Sequence, residues 1–246
     1  NHLFNLAKKF NLFFIEHKSF IGGRFSVLSE VGIIPAYLMG VNILKLRSNL
    51  FNIFNKLNRR LLENSSLKIS KFLNSKKLNN IIFLNYSPEL EKFLFWLQQL
   101  IAESLGKKNK GFLPVISNVP KDHHSLLQLY LDGPKDKIFY IFSSNIKSDV
   151  KIKLQEKNNK RNFLNHKSLK VVKNSQKQAL IKVLTEKKIP FRVFRINKIN
   201  EENLGKLFAY FILETIIIGK LSRINPFDQP AVEKVKVYTR RLLSRN

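Results

Sequence analysis

The sequence predicts an α/β fold: a mostly parallel sheet flanked by helices. Short apolar runs that read as strands, Asn80 to Asn85, Lys137 to Phe142 and Pro190 to Ile196, recur along the chain, and long helical stretches separate them. That alternation is the pattern of βα units around a parallel sheet. A chain of 246 residues with 44% hydrophobic content can also bury a sizeable core, as one large domain or two modest ones.

Each element has a local reason. Leu3 to Phe10 reads as the end of an amphipathic helix, and Leu12 to Glu16 as a short buried strand. A glycine-containing loop follows, then an apolar helix from about Pro35 to Leu46. Residues 47–78 are polar, rich in Lys and Asn, and helical in part. After the strand at Asn80, Ser87 and Pro88 supply the cap and first turn of a helix that runs to Glu103. His124 to Leu131 reads as a short helix ending at Asp132-Gly-Pro134. Ser168 to Lys187 and Glu201 to Leu221 read as long helices, and Pro230 opens a terminal one. In a parallel sheet of this kind, functional loops cluster at the carboxyl ends of the strands.

Composition narrows the function. A net charge of +27 suggests nucleic acid or an anionic membrane surface. Yet the lysines are spread along the chain among abundant Asn, Ile and Phe, the residue set of an AT-rich genome. The densest stretch, Lys147 to Lys188, carries a single aromatic, Phe163, so it offers no stacking platform for bases. No nucleic-acid partner is expected. The absence of cysteine excludes disulfides and thiolate chemistry. Five histidines without a second ligand cluster give no reason to expect a metal. No apolar run reaches the roughly 20 residues of a bilayer span; the best, starting at Leu207, is interrupted by Glu214. The basic start leads to no small-residue cleavage site. A cytoplasmic protein with no membrane partner is the expectation. The chain begins at Asn1, in mid-pattern, which reads as a piece of something longer.

Glu103 stands out first. Ten uncharged residues, Phe93 to Ala102, precede it in a chain where a quarter of residues are charged. A carboxylate desolvated at the end of a buried helix can act as a general base near neutral pH. Three further segments carry polar residues that compositional drift would not supply. Gly22-Gly-Arg-Phe-Ser26 follows the expected strand, where Arg24 would project and could stabilise an oxyanion. Asp122-His-His-Ser125 puts an imidazole near a helix start. Phe227-Asp-Gln-Pro-Ala-Val-Glu233 precedes a helix carrying Lys234 and Lys236.

These segments, with Glu103-Ser-Leu-Gly-Lys107, resemble in order the motifs of the glucose-6-phosphate isomerase family, also called phosphoglucose isomerase. Gln128-Leu-Tyr-Leu-Asp-Gly-Pro-Lys135 extends the match, which spans residues 21–236. The resemblance implies two sugar-isomerase (SIS) domains, each a parallel sheet flanked by helices. Residues 1–45 would be the last strand and exit helix of the first, 46–220 the second, and 221–246 a C-terminal helical arm. It further implies that Glu103 moves a proton between C2 and C1 of glucose 6-phosphate, and that Arg24 stabilises the cis-enediolate. His124 would serve ring opening; His123 stands where bacterial relatives often have Gln. Lys236 would lie near the ring oxygen, and Gly23 and Gln99 would line the substrate. No cofactor is implied. The histidine would come from the neighbouring subunit of a homodimer.

One family feature is missing. The Ser/Thr-rich loop that grips the substrate phosphate has no counterpart here, where the only threonines are Thr185, Thr215 and Thr239. The phosphate site is therefore expected upstream of Asn1, and the chain alone is expected to be inactive. A non-catalytic sugar-phosphate-binding protein of the same fold is the competing reading, although it would not need Arg24, Glu103, His124 and Lys236 all present.

Overall fold

The computed structural model describes residues 2–145, 150–153 and 163–244. Among these, thirteen helices and strands follow in order: α1 (His2–Lys9), α2 (Glu30–Leu38), α3 (Ile43–Arg47), α4 (Lys56–Ser75), β1 (Asn80–Asn85), α5 (Glu91–Leu105), β2 (Leu113–Asn118), α6 (Lys121–Asp132), β3 (Lys137–Ser144), α7 (Leu169–Glu186), β4 (Phe191–Ile196), α8 (Glu201–Leu221) and α9 (Pro230–Leu243). Short 3-10 turns occupy Gly23–Leu28, Leu50–Phe54 and Pro88–Leu90.

The four strands form one parallel sheet in the order β2-β1-β3-β4. Successive side chains of a strand point to opposite faces, so two cores form. Ile81, Phe83, Tyr140 and Phe142 pack beneath α4, α5 and α8, while Ile82, Leu84, Phe139 and Ile141 pack against α6 and α7. Helix α4 shows why a Lys/Asn-rich stretch still folds: its buried residues Leu62, Ser66, Ile69, Ser70 and Leu73 recur at helical spacing and leave the polar ones to solvent. No helix of the described residues is long and apolar enough to cross a membrane.

Three expectations need correcting. No strand forms at Leu12–Glu16; those residues are exposed, Phe13 at 91%. A strand needs a neighbour for its backbone groups, and among the described residues pairing outside β1–β4 is limited to isolated bridges at Lys107–Lys110 and Lys151–Ser168. The single helix expected over Pro35–Leu46 is two. Gly40 takes φ +84°, a left-handed conformation that ends α2, and the Asn42 side chain caps α3 by accepting from the Lys45 amide at 3.0 Å. Strand β2 went unanticipated because Pro114 breaks its pattern. It lies at the sheet edge, where proline is tolerated. Part of the Lys147 to Lys188 stretch, including Lys147 itself, lies outside the described residues.

Glu214, which interrupts the longest apolar run, is 2% exposed on α8. Its carboxylate receives both terminal nitrogens of Arg192, at 3.0 and 2.8 Å, together with the hydroxyls of Tyr210 and Ser65. The guanidinium also lies over the rings of Tyr140 and Phe194. One buried pair thus joins edge strand β4 to α8 and α4. Removing one partner of a buried pair strands the other charge, at a cost of about 3–5 kcal/mol. Arg192→Met is expected to lower the unfolding free energy by that order in urea titration. A loss below about 1 kcal/mol would show the pair to behave like an exposed one.

Candidate active site

The Gly22-Gly-Arg-Phe-Ser26 segment does not project Arg24 from a strand end. It winds into the 3-10 turn Gly23–Leu28, with Ser26 Oγ donating to the Gly23 carbonyl at 2.7 Å. That turn drives Arg24 inward to 4% exposure. All five guanidinium N–H donors then find acceptors. Nε donates to Ser104 Oγ at 2.9 Å, Nη1 to Glu103 Oε2 at 3.3 Å and to Gln229 Oε1 at 2.5 Å, and Nη2 to the carbonyls of Pro226 at 2.6 Å and Asp228 at 3.0 Å. Burial pulls the Arg24 pKa below its usual value, and Glu103 and Asp228 oppose that pull. Its backbone carbonyl accepts from Trp96 Nε1 at 3.0 Å, which fixes the turn against α5.

Glu103 occupies the last turn of α5, one residue before the buried Ser104. Its setting is less desolvated than the uncharged run before it suggests, because the side chain is 31% exposed. The run Phe93–Ala102 does bury one face of α5, but Glu103 lies at the rim. Both carboxylate oxygens are held: Oε2 by Arg24, and Oε1 by Gln99 Nε2 at 3.0 Å, one turn earlier on the same helix. Gly23 faces open space, since a Cβ built there would meet no atom within 4 Å.

Beside the pair opens a cleft of about 880 Å³, lined on one side by Glu103 and residues of the following loop and on the other by Asn225, Asp228, Gln229 and Pro230. Lys107 bridges the two walls. Its Nζ reaches the carbonyls of Asn225 and Asp228 and pairs with Asp228 Oδ1 at 2.7 Å. That hydrogen bond holds the Asp228 carboxyl below the usual carboxylate range. Sequence reasoning did not nominate Ser104, Lys107, Trp96 or Gln229. Three of the four lie inside the quoted motifs, and Trp96 is the only tryptophan of the chain.

Topology separates the remaining candidates from this pair. Helix α5 links the end of β1 to the start of β2, so Glu103 sits at the amino edge of the sheet. His124 follows β2 on α6 and sits at the carboxyl edge, exposed. A six-residue strand, about 20 Å long, lies between the two edges. Its neighbour His123 is half-buried, edge-on to Tyr86, with Nε2 3.4 Å from the phenol oxygen. Burial lowers the His123 pKa, against the pull of Asp122. Lys236 is exposed on α9 and pairs with Glu233 at 2.7 Å. Among the described residues no hydrogen bond or ion pair joins His124 or Lys236 to the Arg24–Glu103 pair, and no cluster of three or more His, Asp or Glu forms a metal-binding group.

A family model described as phosphoglucose isomerase matches residues 7–246. The chain is 34% identical over 229 residues to the glucose-6-phosphate isomerase of Methanocaldococcus jannaschii, covering 91% of this chain and 56% of that protein. It is 36% identical over 233 residues to a probable glucose-6-phosphate isomerase of Methanococcus maripaludis, covering 93% and 52%. The chain therefore spans about half the length of the curated relatives it matches. Among solved structures, a hypothetical protein from Thermus thermophilus superposes with a TM-score of 0.86 at 28% identity, over 98% of this chain and 60% of that one. A glucose-6-phosphate isomerase from Chlamydia trachomatis superposes with a TM-score of 0.71 at 18% identity, a likeness of fold alone.

Arg24 is the hub of these contacts. Arg24→Met removes a cation and leaves five acceptors to find other donors. The expected loss is about 2–4 kcal/mol in denaturant unfolding. Faster proteolysis between Asn225 and Pro230 should accompany it, because that segment loses its anchor. Unchanged cleavage there would show that the segment is held by Lys107 alone.

Proposed function

The chain belongs to the phosphoglucose isomerase family, and on that premise we propose that it carries the proton-transfer centre of a glucose-6-phosphate isomerase. The reaction would be the reversible conversion of glucose 6-phosphate to fructose 6-phosphate, in glycolysis and gluconeogenesis, in the cytoplasm. The observation that carries this reading is Glu103, held through one oxygen by Arg24 and through the other by Gln99 at the mouth of a cleft.

Glu103, as carboxylate, takes the C2 proton of the open-chain aldose, and the electron pair left behind forms the cis-enediolate. The same group returns the proton to C1 while the C2 hydroxyl proton passes to the C1 oxygen, leaving the C2 ketone, so atoms and electrons balance without an oxidant. Arg24 is saturated before substrate arrives, which sets a condition on its role. Its longest bond, 3.3 Å, runs to Glu103. As the carboxylate accepts the proton it loses its charge, and its hold on Nη1 weakens. The negative charge has moved to the enediolate oxygens, and the released N–H follows it. Gly23 and Gln99 line the substrate in this reading, and Lys236 of the helical arm reaches the ring oxygen once the arm closes on the cleft.

Ring opening by His124 requires a second copy, because the histidine of the same chain stands at the far edge of the sheet. A homodimer with shared sites satisfies that geometry. The division into residues 1–45, 46–220 and 221–246 belongs to the same proposal, with a preceding SIS domain gripping the substrate phosphate. Remote binding energy of that kind positions the reacting carbons, and its loss lowers kcat as well as affinity.

Two outcomes are expected. In the enzyme assembled with both halves of the family's length, Glu103→Gln should cut isomerisation by on the order of 10²–10⁴ while sugar-phosphate binding persists. Unchanged flux would remove Glu103 from the mechanism. The purified 246-residue chain should show essentially no turnover in a coupled assay, and near-normal turnover would sink the idea that the phosphate grip lies elsewhere.

A further inference from the structure

The carboxyl edge of the sheet carries a second polar constellation, unconnected with Glu103. The order β2-β1-β3-β4 means that the chain leaves β1 toward one side and β3 toward the other. The crevice between their carboxyl ends is the switch point at which open α/β sheets bind ligands. Serines line that crevice. Ser87 follows β1, and Ser143 and Ser144 end β3. Ser87 Oγ bonds Ser144 Oγ at 2.8 Å and accepts from the Ser144 amide at 2.6 Å, so the two loops are joined across the gap. The Ser87 amide donates to Asn85 Oδ1 at 3.0 Å, which sets the turn.

Helix α7 runs against the strands into β4, so its first turns lie at this edge. They carry Lys173 and Lys177, four residues apart and on one face. Lys177 is 7% exposed, and its Nζ donates to Ser143 Oγ at 3.1 Å. Among the described residues no carboxylate comes within ion-pair distance of Lys173 or Lys177. The exposed Glu89 faces Lys173, while Arg195, at the end of β4, adds a further positive charge beside Lys177. A buried ammonium is ordinarily paired. This one is not, and burial followed by repulsion from Arg195 and Lys173 lowers its pKa.

We propose that the crevice between β1 and β3 binds a phosphoryl group, with the Lys173 and Lys177 ammoniums and the hydroxyls of Ser143 and Ser144 as its donors and Ser87 holding Ser144 in place. Two neighbouring cations and the two serine hydroxyls left free to donate at this sheet edge offer more donors than the two oxygens of a carboxylate can use. A tetrahedral dianion with three terminal oxygens matches them. Arg195 and Asn145 form the exposed rim. The site is a sheet-length from Glu103, so one sugar phosphate cannot occupy both in the same chain, and the site is separate from the isomerase centre.

Calorimetric titration of the 246-residue chain with inorganic phosphate, and separately with glucose 6-phosphate, tests this. Saturable binding of at least one probe is expected. Equal affinities would identify free phosphate chemistry as sufficient, and tighter binding of glucose 6-phosphate would add a sugar contact at the rim. Lys177→Met should weaken binding by about tenfold or more, the order of one charge-assisted hydrogen bond. The half-buried Lys173→Gln and the rim-side Ser144→Ala serve if the buried substitution compromises folding, and each should weaken binding measurably. No saturable binding of either probe, or binding unchanged in the lysine variants, overturns the proposal; the second result would place the anion elsewhere, among the lysines at the amino edge.

Discussion

Everything at the amino edge of this molecule depends on one buried cation with no spare donor. The Arg24 guanidinium collects acceptors from two separated parts of the chain, the end of α5 and the segment between α8 and α9, while its backbone carbonyl accepts from Trp96 of α5. Water is excluded from a side chain 4% exposed, so each lost acceptor would leave an N–H unsatisfied. The geometry of the cleft follows. Glu103 is presented at its mouth because Arg24 and Gln99 hold its two oxygens, and the path of residues 226–229 sets where α9 begins.

The parallel sheet divides the chemistry between two ends. Helix α5 carries Glu103 back to the amino edge, while α6 starts at the carboxyl edge and holds His123 and His124 there. No rotamer change bridges a strand length of about 20 Å. A centre using both must be assembled from more than one copy. Within the sheet the same economy of charge operates, since Glu214 is tolerated in an apolar helix only because Arg192 meets it with two hydrogen bonds and aromatic faces shield the pair.

Much of this was legible beforehand. Strands β1, β3 and β4 show as short apolar runs, and α7 and α8 start and stop within a residue of their expected ends, because caps and periodicity are local properties. Gly40 was not credited with splitting the helix around it, although its left-handed φ is what a glycine permits. Leu12–Glu16 has the apolar pattern of a strand but lacks a neighbour to pair with among the described residues, and a pattern alone cannot supply one. The uncharged run before Glu103 correctly signals a buried helix face but says nothing about which side of the last turn faces solvent.

By itself, then, the sequence determined the α/β class, the helical and strand periods, and the membership carried by ordered motifs around Arg24, Glu103, His124 and the segment from Phe227 to Glu233. These rest on interactions between residues a few positions apart, which side-chain type and spacing report directly. Only the tertiary structure decided that Arg24 is buried and saturated, that Glu103 sits at a rim, that His124 lies at the opposite edge, and that Lys177 is enclosed against Ser143. Each depends on which distant segments meet. That is settled by the packing of two faces of one sheet and the direction each connection takes across it.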